Sequence, residues 1–177
     1  EEDIMNRKPI DSKKGIFTKG MTWRVVYQGI MIGLITLAAF IIGLATPEDK
    51  LPTMVEYNNQ IIAVEEIENL DEVLEDGGKY VSKEEVKVEI GQTMAFTVLA
   101  FSELIHVFNI RDNKNSIFKT GILGNNILIL SVLASALLMG IILIIPSLRA
   151  IFSIPILPAG NILEIILLIV APIIIVE

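Results

Sequence analysis

Glu103, His106 and Asn109 fall three residues apart inside the apolar run TMAFTVLAFSELIHVFNIR, Thr93 to Arg111. Holding an acidic or basic side chain at the centre of a bilayer costs roughly 2.5–3.5 kcal/mol on insertion scales, so an ionisable residue at that depth marks a functional site by default. A three-residue spacing keeps the polar groups near one helical stripe that drifts slowly around the axis. That stripe is expected to face protein and a water-filled ion path rather than lipid. A carboxylate beside an amide oxygen offers hard-oxygen chemistry suited to calcium or a related cation, with Glu103 the main ligand and Asn109 a weaker one. Such an ion takes six or more oxygens, and no other apolar run places an acid at matching depth. The site is therefore incomplete, and its other ligands are expected from helices outside this chain.

Other readings of the same residues stay open. Glu103 lies about two turns from Arg111 and could bend toward the interface as a structural ion pair. Glu103 and His106 have the Glu-x-x-His spacing of di-iron bundles, but those need two such motifs, and the chain has one His. His106 alone reads as a packing or hydrogen-bonding residue. The sequence has no nucleotide loop, nucleophile elbow or phosphate cradle, and its basic residues form no patch interleaved with aromatics, which argues against nucleic acid.

The elements that must position Glu103 are membrane helices. The 177 residues are 53% hydrophobic with four separate apolar runs near twenty residues long, a pattern foreign to soluble domains of this size. An all-α, polytopic membrane bundle of four transmembrane helices is expected, at 23–45, 91–110, 125–145 and 159–177. Trp23 and Tyr27 open the first span as an interfacial belt would. Gly29 and Gly33, four apart, form a small-xxx-small seam, and Ser131 and Ser135 offer another on the third span. Pro146 ends the third span. Pro172 interrupts the fourth, freeing a carbonyl that neighbours must satisfy. Glu164, near the start of that helix, is expected to reach headgroups.

Most of the 21 acidic residues lie between Glu48 and Glu89. The connection 46–90 is read as a long, solvated acidic loop outside the cytoplasm. Within it EEIENLDEVLEDGG spaces Ile67, Leu70, Val73 and Leu74 as a short amphipathic helix stopped by Gly77 and Gly78, and YVSKEEVKVEI partly alternates as a strand would. The segments 1–22 and 111–124 are basic, with Lys114 and Lys119 in the second, while 146–158 carries only Arg149. By the positive-inside tendency both ends lie in the cytoplasm. The apolar run from Trp23 to Leu44 is too long for the core of a signal peptide and has no A-x-A site after it. Cysteine is absent, which removes thiolate metal sites and disulfides. The opening Glu1 reads as the middle of a loop, so the chain is expected to be a piece of a longer protein.

In order along the chain, Asp3-Ile4-Met5-x-Arg7-x-Pro9, Gly29 and Gly33, Thr93-Met94-Ala95-Phe96 with Glu103 and Asn109, Pro146 with Ile151-Phe152, and Pro172 with Glu177 resemble the carboxy-terminal membrane region of P-type cation-transporting ATPases. The likeness is to the seventh to tenth helices, in particular of sarco/endoplasmic-reticulum-type calcium pumps, and it covers nearly the whole chain. Only the acidic loop is longer than the pattern expects. The resemblance implies a pump that couples ATP hydrolysis, through an aspartyl-phosphate, to calcium export, with magnesium and ATP handled by the rest of the protein. It implies that Glu103 is a ligand of one of two calcium sites, beside ligands from the fifth and sixth helices; many relatives carry Gln there. It also implies that residues 3–19 couple the phosphorylation domain to the membrane.

The Asp-Lys-Thr-Gly phosphorylation motif is missing from these residues, so the chain alone is expected neither to hydrolyse ATP nor to transport. The expected partners are the bilayer and the remaining helices and cytoplasmic domains of the same pump, in the plasma membrane, with no nucleic acid. The rival reading is a stand-alone four-span membrane scaffold or interaction protein with an acidic ectodomain.

Overall fold

The computed structural model describes residues 19–110 and 126–176. The expected loop at 1–22 lies outside them up to residue 18, while 19–22 already belong to the first helix. The loop at 111–124, and the resemblance carried by Asp3 to Pro9 and by Glu177, lie outside them. The chain divides into two units, Glu1–Met31 and Ile32–Glu177. The described part of the first unit is the opening of helix α1, Lys19–Leu44, where Trp23 and Tyr27 are exposed.

The second unit holds the rest of α1 and every later element. Among the described residues, three helices are long and apolar enough to cross a membrane: Thr22–Leu44, Lys83–Val107 and Asn126–Ile144. A shorter apolar helix covers Ala159–Pro172. The helices that contain them are α1, α3 (Lys83–Ile110), α4 (Asn126–Ile144) and α6 (Ala159–Val176). This is the expected all-α membrane bundle. Short α5, Pro146–Ile151, joins α4 to α6 with Pro146 in its first turn, where a missing N–H is harmless. Pro172 lies inside α6 and is buried.

The connection between α1 and α3 is more ordered than a solvated loop. Strands β1 (Met54–Tyr57) and β2 (Gln60–Ala63) pair antiparallel, Met54 opposite Ala63 and Tyr57 opposite Gln60. The turn between them is Asn58-Asn59, with φ of 51° and 60°. Two left-handed central residues make the tight hairpin turn whose twist suits the strands, and Asn tolerates that conformation. Strand β3 (Lys79–Tyr80) adds to the other edge of β1.

The amphipathic helix appears as α2, Leu70–Glu75. It ends as the Gly-Gly pair predicts: Gly77 takes φ 101°, Gly78 N donates to Val73 O at 2.8 Å and Gly77 N to Leu74 O at 3.4 Å. These two bonds are the Schellman termination.

One expectation is corrected here. YVSKEEVKVEI is not a strand beyond Tyr80; from Lys83 it is already α3. Ser82 caps the helix reciprocally with Glu85, its backbone N donating to Glu85 Oε2 at 3.1 Å while Glu85 N donates to Ser82 Oγ at 3.3 Å. This S-x-x-E box fixes the start of the helix. Glu48 then accepts from Lys83 at 2.9 Å and lies 3.5 Å from Lys87, tying the start of the connection, just past α1, to the first turns of α3. Those charges hold the Glu48 carboxyl below its ordinary range, the hydrogen bond from Lys83 contributing most.

The core runs along one edge of α3. Val86, Ile90, Met94 and Val98, each four apart, pack with Ala39 of α1, Met54 and Ala63 of the hairpin and Ile165 of α6. A four-residue spacing keeps these side chains on one slowly turning stripe. It also explains why α3 begins early: its first two turns carry Val86 and Ile90 to cover the hairpin.

Candidate functional site

With one stripe of α3 committed to the core, another is left uncovered. Gln92, Phe96, Leu99, Glu103 and Val107 are all exposed, at intervals of four, three, four and four, the spacing of a single helical face. Glu103 thus sits among exposed apolar side chains rather than on a polar surface. Among the described residues no group of three or more His, Cys, Asp or Glu converges, so the carboxylate gathers no acidic cluster within them.

His106 is half-buried. The Asn109 side chain lies outside the described residues. Three-residue steps carry position 109 roughly 120° around the helix axis from Glu103, so the drift along this stripe is substantial. Beside Glu103, Ser102 is 2% exposed and its Oγ has no hydrogen-bond partner. Thr97, one turn and a half earlier, is 3% exposed with an equally unpartnered Oγ1. The helix therefore carries buried hydroxyls on the side turned to the bundle and its carboxylate on the uncovered side.

The proposed packing seams fare as follows. A Cβ built on Gly29 or Gly33 meets nothing within 4 Å among the described residues. The close helix approach within the second unit is at Gly43 and Gly91 instead. A Cβ on Gly91 would stand 2.9 Å from Phe40 O, so α1 and α3 touch through backbone there. Ser131 is exposed and its Oγ donates to Ile127 O at 2.9 Å, within its own helix. Ser135 is exposed as well.

Sequence reasoning missed the polar knot that fixes this end of the bundle. Asn161, 5% exposed at the start of α6, donates through Nδ2 to Thr46 Oγ1 at 2.9 Å and to Met94 Sδ at 3.2 Å. Thr46 Oγ1 in turn donates to Gly43 O at 2.8 Å. One amide thus links α1, α3 and α6. Glu164 does not simply reach outward; its Oε2 lies 3.4 Å from the same Asn161 nitrogen. The available signal was an Asn at the head of an apolar helix, where a polar group unable to reach water needs a partner. Arg149, the lone charge of the α4–α6 connection, pairs with Glu66 of the acidic connection, both side chains largely buried.

Comparison with known proteins agrees with this architecture. A family model described as "Cation transporting ATPase, C-terminus" matches residues 1–177. Calcium-transporting ATPase 1 of Bacillus cereus is 33% identical over 154 residues, covering 87% of this chain and 15% of the relative. The calcium-transporting ATPase of Bacillus subtilis is 34% identical over 152 residues, 86% of this chain and 13% of the relative. One from Listeria monocytogenes is 27% identical over 155 residues, 88% and 13% respectively. The chain spans only about a seventh of the length of these relatives. Membrane-spanning helices in this order, matched from end to end by that family, identify the chain as a member of the cation-transporting ATPases, corresponding to their carboxy-terminal membrane region.

Proposed function

We propose that this chain works as part of a P-type pump that moves calcium out of the cytoplasm, and that Glu103 supplies one oxygen ligand to the transported ion. The observation that carries the proposal is the position of Glu103 on an exposed stripe of α3, between the apolar Phe96, Leu99 and Val107. In a bilayer a carboxylate on such a face is costly unless a cation or a protein neighbour compensates it. The relatives that match are named calcium-transporting ATPases, and this chain covers only a small part of each. The covering helices, the remaining ligands, and the domains that use ATP and magnesium are accordingly assigned to the rest of the pump. Calcium is the cargo, and its hard-oxygen preference suits a carboxylate.

The charge distribution supports an orientation with both ends of the chain in the cytoplasm and the acidic connection on the opposite side; the membrane we assign is the plasma membrane. The decisive experiment is Glu103→Ala and Glu103→Gln in the intact pump, reading calcium-dependent phosphorylation by ATP. The ligand role predicts a raised calcium requirement, larger for Ala than for Gln, with phosphorylation by inorganic phosphate in the absence of calcium retained. A calcium dependence equal to wild type in both variants overturns it.

A further inference from the structure

Between α3, α4, α5 and α6 lies a cavity of about 660 Å³, inside the roughly 300–1,000 Å³ range of small-molecule sites. Its wall is almost wholly apolar, with Leu143 and Ile144 of α4, Ile154 and Leu157 of the connection, and Ile166 of α6 among its members. Ile144 and Ile166 on its wall are exposed, so the cavity opens at the surface of these apolar helices, where an acyl chain can enter.

Among the described residues of the wall, two are polar: Thr97 and Arg149. Both keep a buried atom without a partner, Thr97 Oγ1 and Arg149 Nε. Thr97 is 3% exposed. Arg149 already uses another guanidinium nitrogen on Glu66, which leaves its Nε–H as a spare donor. It follows Pro146 just past the end of α4, the level at which a membrane-spanning helix meets headgroups. An apolar slot that opens at the surface of membrane-spanning helices, with an unspent charged donor at one end, has the chemistry of a glycerophospholipid site.

We propose that this cavity holds an acyl chain of one glycerophospholipid, whose phosphate oxygen accepts from Arg149 Nε. The bound lipid fills the space between α4 and α6 and gives the buried guanidinium its missing acceptor. The inference stands on the cavity and not on the ion assigned to Glu103, so the two fail separately.

The test uses the full-length pump in phosphatidylcholine vesicles doped with phosphatidylglycerol bearing a photoactivatable diazirine on an acyl chain. Peptide mapping after illumination is expected to find adducts on the segments containing Leu143–Ile144 and Ile154–Ile166. Ile166→Trp, which fills the slot from its exposed rim, should cut that labelling several-fold while leaving adducts elsewhere on the pump unchanged. Arg149→Lys keeps a cation opposite Glu66 but loses the Nε donor, and should reduce the advantage of phosphatidylglycerol over an equally labelled diacylglycerol. Labelling of these segments that is absent, that is insensitive to Ile166→Trp, or that is equal for phosphatidylglycerol and diacylglycerol in the wild type overturns the proposal. So does disulfide formation, in the same vesicles, between Leu143→Cys on the cavity wall and a cysteine on another helix of the pump, which would make that helix the occupant.

Discussion

Gly43 of α1 and Gly91 of α3 meet backbone to backbone: a Cβ built on Gly43 clashes with the Cα of Gly91 and stands 2.7 Å from its nitrogen. Nothing flexible lies at this contact, so relief requires the helices to separate. Alanine would gain up to about 1 kcal/mol of helix propensity, but overpacking against backbone typically costs about 1–3 kcal/mol. Gly43→Ala is therefore expected to lower the thermal stability of the detergent-solubilised pump. Gly33→Ala serves as a comparison, since its Cβ meets nothing within 4 Å among the described residues. Equal stability for the Gly43 variant and wild type would contradict the close approach.

The Asn161–Thr46 hydrogen bond joins the head of α6 to the end of α1. Interhelical hydrogen bonds in membrane proteins average about 0.6 kcal/mol and reach about 1.7. Asn161→Leu and Thr46→Val should each destabilise the pump within that range. Because they share one bond, the double variant should lose less than the sum of the two. Strict additivity in thermal or denaturant unfolding would mean that the pair does not interact.

Lowering the pH should release Glu48 from Lys83 and Lys87. The folded-state pKa of Glu48 is depressed, chiefly by the Lys83 hydrogen bond. Its contribution is therefore fully present above the ordinary carboxylate pKa and is lost as pH falls through the depressed value. The stability difference between wild type and Glu48→Gln is expected to be small, since the group is solvent-screened, and constant near neutrality. It should shrink toward zero in acid. A difference that grows on acidification would reverse the assigned sign.

The proposed orientation predicts which side of the membrane reaches the acidic connection. Glu75, exposed at the end of α2, can be replaced by Cys in a region with no native cysteine. A membrane-impermeant maleimide should label Glu75→Cys from outside intact cells. Labelling only after permeabilisation would invert the topology.

The sequence alone determined the membrane helices, because crossing a bilayer demands about twenty apolar residues and leaves little freedom in where they lie. It also determined the stop of α2, since Gly77 and Gly78 permit a left-handed termination that side-chain-bearing residues resist. The Asn58-Asn59 hairpin and the Ser82–Glu85 cap were written locally too, though alternation in YVSKEEVKVEI pointed the other way. Only tertiary structure decided which glycines pack. Gly29 and Gly33 share a small-xxx-small spacing on one helix, yet a Cβ on either meets nothing within 4 Å among the described residues, whereas Gly43 and Gly91 lie on different helices and have no shared local signature. The same holds for Asn161 and Thr46, far apart in the chain, and for the exposed stripe around Glu103. A helix sequence states which faces are apolar, but which face is left for a partner depends on which one the neighbouring helices have already buried.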